Sequence, residues 1–544
     1  MRDEARKIGW SGFAAVVFLA FAVRAVNAYF LLRPENPHFD PARCVGADMW
    51  GNDLQARQAA EGGFPKEFYH HAPLYVHLVA IIYSVTDRNF AAVYWIQIAI
   101  GALLCGLVYW MGRRAWNARV GLLAGFAHAL YGPIIFNETT FMADALAPAF
   151  ATALVAMLML LQGASRRLIP LAAAAGLLLG LAISMRANFA LFAAAVVPWM
   201  LLAPRAFSLP RRAAALAPVA LVALAVVAPF CYHNTRAKGK LSFTQVEAEK
   251  PWRMSWGKES TGYFHYPRGY PKNELHDPLS LAWAPLLARK IRFLLSWYEF
   301  PDLYNYYVDG RFSPVLRWNP LGFWIIGPLA IVGMMLGLRR ARGDLSPLYL
   351  ALASHAVSLV LFYAAARFRA AVMPLIILFA ASAALWIVDQ ARALRWRGPA
   401  LALAGAMALA FFSRSLDPSG FHSIWYSDSM IESMLLQDAD RAIRARDYER
   451  MRSVANRLLG IRRATAQLSG YSLLAELDRV QSGGQSRGKN AEVVARLRPL
   501  VEKQPVIDQF GGTFFPPTAG FDPIDPFDSV APPEKALGLP PPHC

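Results

Sequence analysis

Charge is what this chain has least of for its length. Acidic and basic residues together fill 17% of its 544 positions, against about 25% in an ordinary soluble chain. A cytosolic enzyme of this size is excluded, because its surface could not be covered. Cysteine is scarcer still, and four residues cannot frame a secreted disulfide scaffold. A basic stripe interleaved with base-stacking aromatics is also missing, so no nucleic-acid partner is expected despite a net charge of +18. What the chain does have is apolar sequence, 56% of residues, in uninterrupted runs of about 18 or more that read as bilayer-spanning helices. The expected fold class is an all-α polytopic membrane protein.

Eleven crossings are expected, at 10–31, 92–112, 118–136, 140–162, 168–185, 188–203, 212–231, 321–338, 347–365, 370–388 and 398–413. The first follows a basic stretch like that of a signal peptide. Its apolar run is too long for one and lacks a small-residue cleavage site, so it reads as an uncleaved helix with its N-terminus inside. Alternating sides from there puts seventeen basic residues on the cytoplasmic side: Arg2, Arg6, Lys7, Arg113, Arg114, Arg119, Arg166, Arg167, Arg205, Arg211, Arg212, Arg339, Arg340, Arg342, Arg392, Arg395 and Arg397. The short turns opposite hold three, Arg186, Arg367 and Arg369. That is the positive-inside pattern. Residues 73–86 are apolar, but a crossing there would invert part of the asymmetry. They are expected as a juxtamembrane helix.

The organisation that follows is a membrane module over 1–413, with outer loops at 32–91 and 232–320. A helical region over 414–503 includes a degenerate helical-hairpin repeat near 431–480, and a Pro-rich tail covers 504–544. Ionisable residues inside the crossings are few: Arg24, His128, Asp144 and His355. A transporter would more often show them at mid-membrane, with internally repeated topology. Long outer loops instead suggest chemistry at the membrane surface.

The outer segments carry an ordered series of motifs. The first loop has Asp48 and Asp53 at the head of a short helix, then Tyr69-His70-His71 and Pro73-Leu74-Tyr75. Tyr131-Gly132-Pro133 precedes Glu138 and Asp144, and Met185-Arg186-Ala187-Asn188 forms a turn. Tyr298-Glu299-Phe300-Pro301-Asp302 and Arg367-Phe368-Arg369 follow. In order and sidedness this resembles the GT-C glycosyltransferases that use polyprenyl-phosphate sugars, the protein O-mannosyltransferase and aminoarabinose transferase superfamily. The likeness covers about residues 10–390. Three places depart from the family's usual pattern: His233-Asn234, with Arg236 nearby; Val246 to Lys250 where glycines are common; and Ala371 where a proline is common.

The resemblance implies a GT-C-like fold and transfer of a sugar, with inversion, from a polyprenyl-phosphate donor to an extracytoplasmic protein, lipid or polysaccharide. It implies a bacterial cytoplasmic membrane, and the eleven alternating crossings put the C-terminus outside. Asp48 matches the family's first-loop Asp and is the expected base, assisted by Glu138 or Asp144. Arg186, Arg236, Arg367 and Arg369 are expected on the donor phosphate, because the guanidinium fork bonds phosphate oxygens in pairs. Asp53, His70, His71, Tyr75, Glu299 and Asp302 are expected to bind substrate. The resemblance fixes no cofactor; a divalent cation, Mg or Mn, held by Asp48 with Glu138 or Asp144 is compatible with it.

Plainer roles stand beside these. Glu138 suits a helix cap, and Arg367 and Arg369 suit headgroup anchors. The two adjacent histidines and the aromatics of 297–307 suit interfacial packing. Cys44 and Cys231 fall on one side and leave pairing open. A lipid-linked glycan polymerase or ligase, and a non-enzymatic lipid-linked glycan transporter or assembly protein, are the alternative functions.

Overall fold

The structure, a computed structural model, describes residues 9–33, 48–69, 72–164, 166–204, 206–242, 252, 255–258, 260, 274–277, 280–299, 306, 310, 313–341, 343–362, 366–415, 435, 439, 442–443, 445–459, 464–481 and 489–502. Among these the chain is helical, and the one β contact is an isolated antiparallel bridge between Gly257 and Leu275. The helices are α1 (Trp10–Leu31), α2 (Asp48–Gly62), α3 (Pro73–Thr86), α4 (Phe90–Ala115), α5 (Ala118–Ala129), α6 (Gly132–Glu138), α7 (Ala147–Gln162), α8 (Leu168–Met185), α9 (Phe189–Leu202) and α10 (Leu209–Lys238). They continue as α11 (Ala284–Leu295), α12 (Phe323–Gly337), α13 (Ser346–Leu361), α14 (Met373–Arg392) and α15 (Arg397–Ser415), then α16 (Tyr448–Leu459), α17 (Ala464–Gln481) and α18 (Lys489–Glu502).

Every expected crossing has a helix, and six are long and apolar enough to span a bilayer: α1, α4, α8, α10, α12 and α14. The pair α5 and α6, apolar enough together but turned by 57° at their junction, is either a broken seventh span or a re-entrant loop. The break has a local cause. Pro133 sits in the first turn of α6, where its missing N–H is tolerated, and so it starts a new helix there. The expected run 140–162 also begins late. Residues 139–146 form turns and a short 3-10 segment, Ala143–Ala145, before Pro148 opens α7. Asp144 therefore lies in a connection, not within a span. α10 runs the other way, 30 residues to Lys238, ended by Gly239 at φ +66°. Hydropathy falls after residue 231, but no helix breaker appears until that glycine, so His233, Asn234 and Arg236 are helical.

Close packing between these helices relies on small residues. Gly176 and Gly180, four apart on α8, face the α10 backbone, and a Cβ at either would stand 2.5 Å from Val219 O or 2.9 Å from Ala223 O. This is the small-xxx-small spacing by which apolar helices approach in lipid. α1 and α5 pack on α4, and α12 packs on α14.

Residues 48–50 and the described residues of 417–544 belong to a second compact unit. Within it α16 and α17 share a core of Met451, Val454, Ala455 and Leu458 with Leu473, Leu474 and Leu477. Tyr471 of α17 packs on Val493 of α18.

Gly101 on α4 faces the Glu138 carboxylate so closely that an added Cβ would overlap it. Gly101→Ala is expected to destabilise the protein by about 1–3 kcal/mol through overpacking. The check is the thermal unfolding midpoint in detergent, and an unchanged midpoint would show that the carboxylate relaxes freely.

Candidate functional site

Most of the acidic residues singled out from sequence turn out to be bound to basic partners in the interior. Glu138 takes a two-pronged contact from Arg24 of α1, Nε to Oε2 at 2.5 Å and Nη2 to Oε1 at 3.1 Å, with both side chains at most 2% exposed. Arg24 also donates to Ala129 O at 3.2 Å, which ties α1 to the end of α5. Tyr75 donates its hydroxyl to Gln97 Oε1 at 2.8 Å, and the Gln97 amide donates to Glu138 O and Thr140 O. Asp53, fully buried, accepts from the Tyr83 hydroxyl at 2.8 Å and pairs with Arg88 and Arg57. These three expected site residues brace the fold where they stand. Glu138 has a guanidinium on both oxygens, a poor setting for a cation. Among the described residues no group of three or more His, Cys, Asp or Glu is placed to hold a metal ion.

Arg369 and Glu299 make a second interior pair. Arg369 Nη2 meets Glu299 Oε2 at 2.8 Å, while the other Glu299 oxygen accepts from the Tyr131 hydroxyl at 3.0 Å. Arg369 Nη1 donates to Ser296 O at 2.9 Å, and the guanidinium lies 3.6 Å from the centre of the Phe323 ring. With its donors so occupied, Arg369 is a clamp between the 294–299 segment and the end of α13.

Asp144, like Asp53, takes two arginines. Two guanidiniums converge on it, Arg186 Nη1 on Oδ1 and Arg367 Nη1 at 3.6 Å from Oδ2. Both also lie near the ring of Phe368, Arg186 at 4.2 Å and Arg367 at 4.8 Å from its centre. His355 of α13 donates Nε2–H to Phe368 O at 2.8 Å and so holds that backbone. Asp144 is 5% exposed, but the arginines keep 17% and 14%. So three of the expected residues, from three separated turns, come together as one carboxylate under two partly open cations. No motif or spacing signals that Phe368 lies beside both.

The end of α8 that leads to Arg186 also borders a partly open cavity of about 540 Å³, shared with α9 and α10. Its walls are apolar, including Leu179, Val196, Leu216 and Val227, and Ser184 and Ala187 of its lining flank Arg186 in the chain. Asn234 and Phe230 of α10 and Pro73 of α3 complete it. At this end of α10 the first loop is pinned down. Asn234 Oδ1 accepts from Tyr69 N–H at 2.9 Å, His233 Nε2–H donates to Glu67 O at 2.9 Å, and His233 stacks on Phe64. The Tyr69 hydroxyl is hydrogen-bonded to His77 Nε2. Burial first, and His233 next, pull the His77 imidazole below its usual pKa. A neutral ring can accept that hydroxyl proton. Arg236 is exposed on the same turn.

Asp48 is the first residue of α2, half-buried, and belongs to the second compact unit. His70, His71, Asp302 and Cys44 lie outside the described residues.

Residues 70–233 match the family model described as dolichyl-phosphate-mannose-protein mannosyltransferase. The resemblance read from the motifs is borne out over that stretch. No curated protein matches the sequence. Among solved structures, the Archaeoglobus fulgidus oligosaccharyltransferase in its apo form is similar at 13% identity and TM-score 0.46, over 80% of this chain and 59% of that one. The archaeal enzyme AglB from the same organism, in complex with an inhibitory peptide and a dolichol-phosphate, gives 14% identity, TM-score 0.46 and coverages of 81% and 59%. ArnT from Cupriavidus metallidurans bound to undecaprenyl phosphate gives 15% identity and TM-score 0.46, over 80% of this chain and 73% of that one. This chain thus spans under two thirds of the archaeal chains it resembles.

Replacing Glu299 by Ala would leave Arg369 buried without its carboxylate. Loss of one partner of a buried pair costs about 3–5 kcal/mol. A correspondingly large fall in the unfolding midpoint is expected for Glu299→Ala, and a small one would mean that water reaches Arg369.

Proposed function

We propose that this chain is an integral-membrane glycosyltransferase that takes a sugar from a polyprenyl-phosphate donor and passes it, with inversion, to an extracytoplasmic acceptor. The observation that carries this reading is the pair of guanidiniums, Arg186 and Arg367, gathered on Asp144, with Arg186 flanked in the chain by Ser184 and Ala187 of an apolar cavity. A lipid phosphate needs these two things together. Its chain needs an apolar trough between helices, and about 300–1,000 Å³ is the usual size of a ligand site. Its anionic head needs cations with fork geometry. The family match over 70–233 supports the same chemistry.

In the reaction, an acceptor hydroxyl oxygen forms a bond to the anomeric carbon while the bond from that carbon to the phosphate oxygen breaks. The electron pair leaves with polyprenyl phosphate, whose growing charge falls to Arg186 and Arg367. The hydroxyl proton passes to a carboxylate, and Asp48 holds that role in this reading. Asp144 orients the two arginines. Arg369, Glu138 and Asp53 support the framework. The positive-inside count over the sequence supports a bacterial cytoplasmic membrane, with the N-terminus inside and the site outside.

The test is binding and turnover with purified protein in detergent. Arg186→Ala and Arg367→Ala are each expected to weaken undecaprenyl phosphate binding about tenfold or more, the worth of a hydrogen bond to a charged group. Asp48→Asn is expected to bind donor normally but release polyprenyl phosphate about a hundredfold more slowly or worse. Normal turnover by Asp48→Asn would move the base elsewhere and favour a polymerase or ligase. Cys231 lines the cavity, so undecaprenyl phosphate should slow its labelling by a maleimide. Unchanged labelling would place the lipid chain in another groove.

A further inference from the structure

Lys290 is a fully buried lysine, 0% exposed, on the loop helix α11. Its ammonium donates to Ser255 Oγ at 2.5 Å, Val360 O at 3.0 Å and Phe362 O at 2.8 Å, and it sits 3.6 Å from the centre of the Trp256 ring. Trp256 itself donates Nε1–H to Leu361 O at 2.5 Å. Three consecutive carbonyls at the C-terminal end of α13 are therefore received by two residues of the 232–320 segment. A helix end that points its carbonyls into the interior needs such partners, and a cation is the best of them.

The favour is returned. Arg369, on the short helix Ala366–Ala370 that follows α13 in the chain, donates to Leu294 O at 3.3 Å and Ser296 O at 2.9 Å, at the C-terminal end of α11. Each helix thus has its negative end held by a cation from the other side. Arg367 lies in the chain between these two anchors, two residues from Arg369.

We propose that Lys290 is a positioning residue: by closing the end of α13 it sets where Arg367 stands, and so the affinity of the site for the phosphate end of the lipid donor. The part about the donor rests on the function proposed above. The clasp itself rests only on the bonds that Lys290, Trp256 and Arg369 make to backbone carbonyls. Among the described residues, the other charged or titratable side chains on the packed elements are Arg289 and Arg292 on α11, Tyr349 and His355 on α13, Lys258 with its partner Glu274, Tyr298, and the Arg369–Glu299 pair.

Burial pushes the Lys290 amine down from its ordinary value to about 7. An opening that returns the amine to water restores its ordinary value, so between about pH 7 and 10.5 the open form holds a proton that the closed one does not. Rising pH therefore favours the closed clasp as it favours the folded chain. The clasp is read at pH 6, where the ammonium holds its three acceptors and faces the Trp256 ring.

The experiment compares the full-length wild type, Lys290→Met and Lys290→Arg at pH 6. It reads undecaprenyl phosphate affinity and amide hydrogen exchange over 366–372. Lys290→Met should bind about tenfold more weakly and exchange faster over 366–372, with Lys290→Arg close to wild type in both. Wild-type affinity in Lys290→Met overturns the proposal, and so does a loss that Lys290→Arg does not restore. Where none of the proteins binds undecaprenyl phosphate, the donor reading fails and exchange decides alone: faster exchange in Lys290→Met but not in Lys290→Arg upholds the clasp, and equal exchange in all three overturns it. If Lys290→Met does not fold, Trp256→Phe, which removes the bond to Leu361 O, takes its place, with weaker binding or faster exchange upholding the proposal and wild-type values of both overturning it.

Discussion

A charge withdrawn from water into an apolar bundle must be met by an opposite charge or by carbonyl oxygens, and in this chain that constraint decides which ionisable side chains are left for chemistry. Arg24 and Glu138 meet across α1 and α6 with almost no exposure. Asp53 is surrounded by Tyr83, Arg88 and Arg57. Arg369 is taken by Glu299 and two carbonyls. Such pairs rarely add net stability, but breaking one is expensive because it strands its partner. They behave as braces whose substitution would unfold the protein before it informed on catalysis. Asp144 shares with Asp53 a carboxylate under two partly exposed arginines, but here both guanidiniums also lie beside the Phe368 ring and Arg186 is flanked in the chain by residues that line an apolar cavity.

The helices are legible in the sequence because burial in lipid needs only length and apolarity, which a single stretch displays by itself. Where hydropathy and helix part company, the expected boundaries fail. α10 continues through polar residues to Gly239, and Pro133 and Pro148 split what read as unbroken runs. The candidate site is half legible. Order and sidedness bring out Asp144, Arg186 and Arg367 as members of turns, and these three do converge. The pairing of Arg24 with Glu138, 114 residues apart, follows from no period or spacing. It comes from which helix faces meet, and only the packed bundle fixes that. Gly101 is the one trace of it in the chain, and without the contact it reads as an ordinary small residue in a membrane helix.

Lys290 is hidden for a different reason. On an amphipathic loop helix beside Arg289 and Arg292 it reads as one more surface cation, and only the carbonyls of 360 and 362 reveal it as interior. A helix end has acceptors that no side-chain pattern shows, so cations that serve backbone are harder to find than cations that serve carboxylates.

The excess of one positive charge at Asp144 suits the proposed reaction. A sugar-phosphate-lipid donor is a diester with a single negative charge, and the polyprenyl phosphate it leaves behind gains a second as the glycosidic bond breaks. Two guanidiniums without Asp144 would hold the donor and the product strongly alike, and binding both well does not speed the step between them. With Asp144 present, part of their charge is already engaged, so the ground state is held modestly. As charge builds on the leaving oxygen, Arg186 and Arg367 have more to gain by turning from carboxylate to phosphate. Their residual exposure and the Phe368 ring beside them leave that movement small, so the stabilisation grows with the reaction and needs little rearrangement of the site.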